Sequence, residues 1–125
     1  MSETLYVDGS YVFNKKYSDL NIYGKKIYKD KGKGYIIIKC KNLIMKHDSE
    51  LNADVIDIEC QENMEIYKSN LKGKTIHIKC KSLNVHSSRM HYKDLLCECS
   101  KEHAKFVDSF FSQENSPFVS NNPFF

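Results

Sequence analysis

The chain has 125 residues and a formal net charge of +3, from 19 Lys and Arg against 16 Asp and Glu. Hydrophobic residues make up 41% and charged residues 28%, which is typical of a single folded domain rather than a disordered chain. The mild charge and a single arginine, Arg89, argue against nucleic-acid binding, because arginine is well suited to reading bases and phosphates.

Neither a membrane span nor a secretory signal is expected. No apolar run reaches the length of about 18 residues that a spanning helix needs, and the first residues lack a basic stretch followed by an apolar one. We therefore expect a cytoplasmic protein that binds no membrane and keeps its thiols reduced. Its five cysteines are an odd number, which a closed disulfide framework would not give.

Residues 1–33 are the least regular part of the chain. Residues 5–7 and 11–13 are predicted to form short strands, and residues 19–28 a first, incomplete coil with a turn at Gly24. The segment Asp30-Lys-Gly-Lys-Gly34 is also predicted to be a turn, since it lacks the Gly-Lys-Ser/Thr of a phosphate-binding loop.

A repeat dominates the middle of the chain. Cys40, Cys60, Cys80 and Cys99 follow one another at intervals of 20, 20 and 19 residues. Each ends a short segment such as Tyr35-Ile-Ile-Ile-Lys-Cys40, and a fixed period of this length with strand-like alternation is the signature of a β-solenoid. The sequence therefore predicts an all-β domain of about five coils.

Each predicted coil contains two strands. Alternation along the first strands turns one set of residues inwards, and identical residues one period apart are expected to stack on each other. The inward residues are Ile36, Ile38, Cys40, Ile56, Ile58, Cys60, Ile76, Ile78 and Cys80. Second strands are predicted around residues 43–45, 64–66 and 83–85. The segments after them, residues 47–52, 70–73 and 86–92, are predicted to be turns or loops.

The end of the chain departs from this pattern. Residues 94–107 are predicted to form a shorter last coil with Leu95, Cys97 and Cys99 inwards, in which residues 101–107 are a strand or a short helix. We place the solenoid domain at residues 1–107 and an aromatic tail at residues 108–125, which holds five of the seven phenylalanines. Such a tail is predicted to pack on the solenoid end, a second copy or a partner.

The cysteines have two interpretations. Cys80, Cys97 and Cys99 could bind zinc with His86 or His91, but the chain has no paired Cys-x-x-Cys knuckles. Reduced thiols also suit a narrow apolar interior. We prefer buried thiols and predict neither a metal nor another cofactor.

No catalytic residue is predicted. The inward thiols would be poor nucleophiles, and His77 is expected to be a surface histidine that lies closest to Lys79 rather than to an orienting carboxylate. No pair of carboxylates is placed for acid–base work. The chain is therefore predicted not to be an enzyme.

The outward residues of the repeated strands are the candidate site. They form one sheet face of mixed charge, with these members: Lys39, Lys41, Asp57, Glu59, His77, Lys79 and Lys81. Such a face is either a solvated surface with cross-strand charge pairs or a binding face for a protein, and the sequence leaves both open.

The tail also allows two interpretations. Asn122-Pro-Phe124 matches a short peptide that endocytic adaptor domains read, which would make the chain a solenoid adaptor. A packed or exchanged strand is the preferred alternative, because three residues are a weak signal.

The coils carry a resemblance to a known family. Tyr35-Ile-Ile-Ile-Lys-Cys-Lys-Asn42, Val55-Ile-Asp-Ile-Glu-Cys60 and Lys72-Gly-Lys-Thr-Ile-His-Ile78 resemble successive coils of the C-terminal (CARP) domain of cyclase-associated protein. The segments Leu96 to Val107 and Ser116 to Phe124 resemble, in order, the family's Cys-Glu strand, departing strand and Pro-Phe end. The resemblance covers roughly residues 20–125 and rests on pattern more than identity.

This resemblance implies a right-handed parallel β-helix that binds monomeric actin and promotes its nucleotide exchange. It also implies a homodimer formed by exchange of the C-terminal strand, which would involve these residues: Ala104, Phe106, Val107, Phe118, Pro123 and Phe124. The chain lacks the coiled coil and Pro-rich linker of the family.

Tubulin-binding cofactor C shares this fold and supplies the alternative, a regulator of tubulin or of a small GTPase. The stretch Cys80-Lys-Ser-Leu-Asn-Val-His86 resembles that branch, but Asn84 stands where its GTPase-activating arginine would fall. Arg89 lies nearby but off the motif, so arginine-finger chemistry is not expected.

Overall fold

The structure is a computed structural model that describes residues 3–7, 10–29, 34–99, 104–113 and 119–120. Within these ranges every regular element is a β-strand. The first nine are β1 (Glu3–Val7), β2 (Ser10–Asn14), β3 (Asp19–Tyr23), β4 (Lys25–Lys29), β5 (Tyr35–Cys40), β6 (Asn42–Lys46), β7 (Glu50–Asn52), β8 (Val55–Cys60) and β9 (Asn63–Tyr67). The others are β10 (Asn70–Lys72), β11 (Thr75–Lys79), β12 (Ser82–His86), β13 (Arg89–Tyr92), β14 (Asp94–Glu98), β15 (Ala104–Val107), β16 (Phe110–Gln113) and β17 (Val119–Ser120).

These strands stack into three sheets that the chain visits in turn. Sheet A has the order β1-β4-β7-β10-β13-β16-β17, sheet B the order β14-β11-β8-β5-β2, and sheet C the order β15-β12-β9-β6-β3. All neighbours are parallel except β16 and β17. The fold is a parallel β-solenoid with a course consistent with a right-handed coil, so the predicted fold class is confirmed.

The register repeats with the period that the cysteines indicated. Ile36 pairs with Ile56 and Ile56 with Ile76, and Cys40 pairs with Cys60 across a step of 20 residues. Parallel strands at about 4.8 Å spacing bond to both neighbours, so equivalent positions of successive coils are held directly over one another.

The interior is filled by these stacked apolar side chains. Sheet B contributes isoleucine and cysteine, and sheet C contributes leucine, methionine, isoleucine and valine, nearly all fully buried: Ile36, Ile38, Leu43, Met45, Ile56, Ile58, Met64, Ile66, Ile76, Ile78, Leu83 and Val85. Each fully buried side chain of this size contributes about 1.5–3 kcal/mol. The predicted inward positions of the first strands are confirmed.

Three coils have a third strand that the sequence prediction missed. The segments predicted as turns contain β7, β10 and β13, which form the middle of sheet A. The prediction was wrong because strands of three or four residues turn only one or two side chains inwards and so show little alternation. Their buried residues are Leu51, Leu71 and Met90.

The corner between sheets C and A repeats a two-part motif. Left-handed backbone recurs at this corner, with φ of 60°, 47°, 49° and 49° at Asp48, Lys68, Ser87 and Asp108, and His47 beside Asp48 also has a φ of 60°. A buried serine follows each time: Ser49, Ser69, Ser88 and, in the last coil, Ser109. Their hydroxyls donate to backbone carbonyls near the turn, as Ser69 does to Tyr67 O at 2.9 Å, so the polar corner stays satisfied inside an apolar core.

The last coil reaches further along the chain than expected. Residues 104–107 form strand β15 rather than a helix, and β16 pairs with β13 as the third strand of the same coil. Sheet A therefore continues through residues 110–113. Residues 114–118 and 121–125 lie outside the described residues, so the packing of the tail beyond β17 stays a prediction.

Candidate binding face

The outer face of sheet B gathers most of the predicted site. Alternation along β5, β8 and β11 turns Lys39, Asp57, Glu59, His77 and Lys79 outwards, and all five are intermediate or exposed. The structure brings them together on one face because Asp57 pairs in register with His77, and Glu59 with Lys79.

The other two predicted residues, Lys41 and Lys81, lie just beside this face. Both are exposed and occupy the corner between sheets B and C rather than a strand. Lys81 N–H donates to Glu62 O, and Glu62 N–H donates to Lys41 O, so the two corner lysines stand two coils apart on the same edge. They extend the face along its border.

His77 links three coils of the face. Its Nδ1 lies 3.2 Å from Asp57 Oδ1 and its Nε2 lies 2.9 Å from Glu98 Oε2. The prediction that His77 lies away from a carboxylate was wrong, because its partners come from neighbouring coils, about 4.8 Å away, rather than from its own strand. Since both ring nitrogens contact carboxylates, this histidine is suited to tying coils together rather than to taking a proton from a substrate.

Glu98 is a residue of this face that sequence reasoning did not select. It lies on β14, pairs in register with Lys79, and contacts His77. The signal was present, since Glu98 follows Lys79 by one period of the repeat. The column Lys39, Glu59, Lys79, Glu98 therefore alternates in sign up the sheet, an arrangement in which each opposite-charge pair contributes about 0.2–1 kcal/mol.

The cysteines lie behind this face. Cys40, Cys60 and Cys80 are buried, Cys97 and Cys99 are half-buried, and all five are free thiols. Cys40 Sγ and Cys60 Sγ lie 3.7 Å apart. The hydrogen bond to Cys40 and burial raise the pKa of Cys60, and burial raises the pKa of Cys97 to about 12, so these thiols are protonated and poor nucleophiles near neutral pH.

A metal site was the other interpretation of the cysteines. Among the described residues, no group of three or more His, Cys, Asp or Glu side chains is placed to hold a metal ion. Cys99 Sγ instead lies 3.4 Å from Lys81 O, where it can donate a hydrogen bond.

The predicted exchange element is only partly within the described residues. Ala104 and Phe106 are half-buried against the core and Val107 is exposed, all on β15, which pairs with β12 of the same chain. Phe118, Pro123 and Phe124, and with them the Asn-Pro-Phe motif, lie outside the described residues.

Asn84 and Arg89 face different sides of the solenoid. Asn84 is on β12 in sheet C, in register with Glu65 and Lys105, whereas Arg89 is exposed on β13 in sheet A. Arg89 therefore does not supply the guanidinium that the motif at Asn84 lacks.

A second surface, which the sequence prediction did not identify, lies on sheet C. A cleft of about 440 Å³ contains Asp19, Asn21, Tyr23, Asn42, Asn63 and Glu65 among its lining residues. A groove of about 240 Å³, the corner groove, is lined by Lys46, His47, Tyr67, Lys68, His86 and Ser87. The lining residues recur at nearly equivalent positions of successive coils, and this repetition is the sequence signal that could have identified the surface.

Comparison with known proteins gave no relative. No family model matches the chain, and neither the curated proteins nor the solved structures contain a significant match. In the ranges that the structure describes, no helix has the length and apolar character to cross a bilayer.

Proposed function

We propose that this chain is a non-enzymatic binding module that contacts a protein partner through the outer face of sheet B. The observation that carries the proposal is the fixed geometry of that face, where ladder pairing holds Lys39, Asp57, Glu59, His77 and Lys79 in register. A face that is ordered before binding loses little conformational entropy on association, which favours a rigid solenoid as a docking surface.

The proposed partner is monomeric actin, and the proposed effect is faster nucleotide exchange on ADP-actin. Support comes from the order and spacing of the coil motifs, which resemble those of the cyclase-associated protein C-terminal domain. This role implies a cytoplasmic, cytoskeleton-associated protein. Lys79 is the first residue to test, because it lies at the centre of the face with Glu59 and Glu98 as its neighbours.

The test is uptake of a fluorescent ATP analogue by ADP-actin, together with a pulldown of actin monomers. We expect the wild-type chain to accelerate exchange and Lys79→Glu combined with Lys81→Glu to lose at least about tenfold of the effect, since two charges of the face are reversed. A matched control is Lys72→Glu with Lys74→Glu, which reverses two exposed charges outside sheet B.

Failure of the wild-type chain to bind actin monomers would end the actin proposal. A parallel pulldown with tubulin tests the cofactor C alternative. Equal loss in the control double variant would mean that general charge, rather than the outer face of sheet B, governs binding.

The proposed dimer exchanges β15 and the tail that follows. In such an exchange β15 would pair with β12 of the partner subunit through the same contacts that it makes within one chain, including those of the half-buried Phe106. Light scattering of the purified chain measures the mass directly. A monomer at all concentrations tested would count against exchange.

A further inference from the structure

The corner groove on sheet C crosses three coils at the junction with sheet A. One coil supplies Lys46 and His47, the next supplies Tyr67 and Lys68, and the third supplies His86. Tyr67 and His86 pair in register on adjacent strands, so the groove runs along the axis of the solenoid. It is separate from the outer face of sheet B.

Aromatic and cationic groups are already in contact within this groove. Lys46 Nζ lies 5.1 Å from the ring centroid of Tyr67, and the rings of Tyr67 and His86 lie 5.1 Å apart with an interplanar angle of 36°. Tyr67 Oη donates to Glu65 Oε1 at 3.2 Å, which fixes the ring from its far end. These contacts hold an aromatic platform with a lysine at its edge.

The charge of the groove has one sign. Its lining contains two lysines and two histidines and, among the described residues, no carboxylate. Glu65 accepts a hydrogen bond from the Tyr67 hydroxyl, and the exposed corner residue Asp48 is not among the residues that line the groove. A negatively charged ligand would therefore be complementary to this surface.

Two backbone N–H groups of the corner are not available to a ligand, because they already donate hydrogen bonds within the chain. Lys68 N–H donates to His86 O and Ser87 N–H donates to Val107 O, both at 2.9 Å. Recognition would depend on side chains, including that of the exposed Lys68.

Size decides between a small molecule and a peptide. A volume of about 240 Å³ lies below the range of about 300–1,000 Å³ that is common for small-molecule pockets. Three coils at about 4.8 Å spacing give a length of about 10 Å, which about three residues of an extended peptide would span. The groove thus fits one or two side chains of a peptide laid along the axis.

We propose that the corner groove binds an acidic, extended peptide segment of a partner protein that also carries an aromatic residue. Acidic side chains of the peptide contact Lys46 and Lys68, and its aromatic ring packs on Tyr67 and His86. This peptide site does not depend on actin or on the outer face of sheet B, so either proposal can fail without the other.

The test uses a fluorescein-labelled Asp-Glu-Phe-Asp-Glu peptide, a Lys-Lys-Phe-Lys-Lys peptide and an Asp-Glu-Ala-Asp-Glu peptide, with binding followed by fluorescence polarisation. We expect the first to bind at least about tenfold more tightly than the basic peptide, and to weaken as salt is added. Loss of the phenylalanine should weaken it several-fold, because the ring contact is removed.

The decisive variant is Lys46→Glu with Lys68→Glu, compared with the control Lys72→Glu with Lys74→Glu. We expect the first pair to lose at least about tenfold in affinity and the control to stay within about twofold. Circular dichroism shows whether each variant is folded, and Lys68→Gln, which removes the charge without reversing it, provides a milder second variant.

Four results would overturn the proposal. These are no binding of the acidic peptide to the wild-type chain at about 1 mM, equal binding of the acidic and basic peptides, unchanged affinity in folded groove variants, and full competition by free phosphotyrosine or inorganic phosphate at similar concentration. The last result would assign the groove to a small anion instead.

Discussion

At the scale of single residues, the corners of the coils tolerate less change than the faces. Gly73 stands at the corner between sheets A and B, where an added Cβ would lie 2.8 Å from Ala53 O and 3.4 Å from Ile56 Cδ1. The nearer atom belongs to the backbone, so it cannot rotate away as the end of a side chain would.

Gly73→Ala is therefore expected to destabilise the chain by about 1–3 kcal/mol, because the corner must shift to accept the methyl group. Urea denaturation measures the change. The exposed neighbour Lys74→Ala should change stability by less than about 0.5 kcal/mol, and equal effects at the two positions would contradict the close contact.

The buried serine column makes a second prediction at this scale. Ser88 Oγ donates to His86 O at 2.8 Å and accepts from Ser69 N–H at 3.2 Å. Ser88→Ala would leave the buried amide of Ser69 without this acceptor, which we expect to cost about 1–3 kcal/mol.

The matched control is Ser87→Ala, since Ser87 is the exposed residue next to it. Thermal denaturation of both variants separates a buried hydrogen bond from a general effect at the corner. A Ser87→Ala loss as large as that of Ser88→Ala would remove the special role of the column.

At the scale of elements, the length of a strand decides what the sequence reveals. Strands of five or six residues, such as β5 and β8, turn two or three side chains inwards, and their alternation predicted the fold and the outward face. The three-residue strands β7 and β10 show one inward leucine each, Leu51 and Leu71, and were predicted as turns.

Contacts between coils are the part that could not be predicted from alternation alone. His77 was compared with Lys79 on its own strand, although its partners Asp57 and Glu98 come from the strands on either side. The corner groove was missed for the same reason. Its members are far apart in sequence and meet only through stacking.

Cys97, near the end of β14, should resist alkylation. Burial, followed by the effect of Cys99, raises the pKa of Cys97 on β14 to about 12 from an ordinary value of 9.0. At pH 8 its thiolate fraction is then lower by roughly a thousandfold, and reaction with iodoacetamide should slow accordingly.

Mass spectrometry of Cys97-containing peptides after timed labelling checks this, with the chain in urea as the control. Cys60, whose pKa is also raised, should behave in the same way. Equal labelling rates at Cys97 in the native and urea-treated chain would contradict the burial of this thiol.

For the whole molecule, the same thiols predict a dependence of stability on alkaline pH. Burial raises the pKa values of Cys80 and Cys97 above 9.0 in the folded chain. The unfolded chain releases these protons near pH 9 and the folded chain keeps them, so their contribution is present below pH 9 and lost as pH rises towards the folded pKa values. The Cys40–Cys60 pair is left out of this sum, because their hydrogen bond raises the pKa of Cys60 and lowers that of Cys40.

We expect the free energy of unfolding to fall by about 1 kcal/mol or more between pH 9 and pH 11, allowing for partial exposure. Burial also raises the pKa of Tyr92, which adds a loss of the same sign. Urea midpoints across this range measure the slope, and Cys97→Ala should flatten it. An unchanged slope in that variant would exclude a contribution from Cys97.

Because the register repeats, the length of the solenoid can change only by whole coils. Val55 N–H donates to Gly34 O and Thr75 N–H donates to Asp54 O, so residues 55 and 75 enter their coils in the same way. Excising residues 55–74 would join Asp54 to Thr75 and shorten the molecule by one strand spacing, about 4.8 Å. An excision of ten residues would leave no equivalent position to join, and we expect only the longer deletion to fold. The shortened chain would place Lys39 directly against Lys79. Removing one coil would therefore also remove the alternation of charge between these strands on the outer face of sheet B.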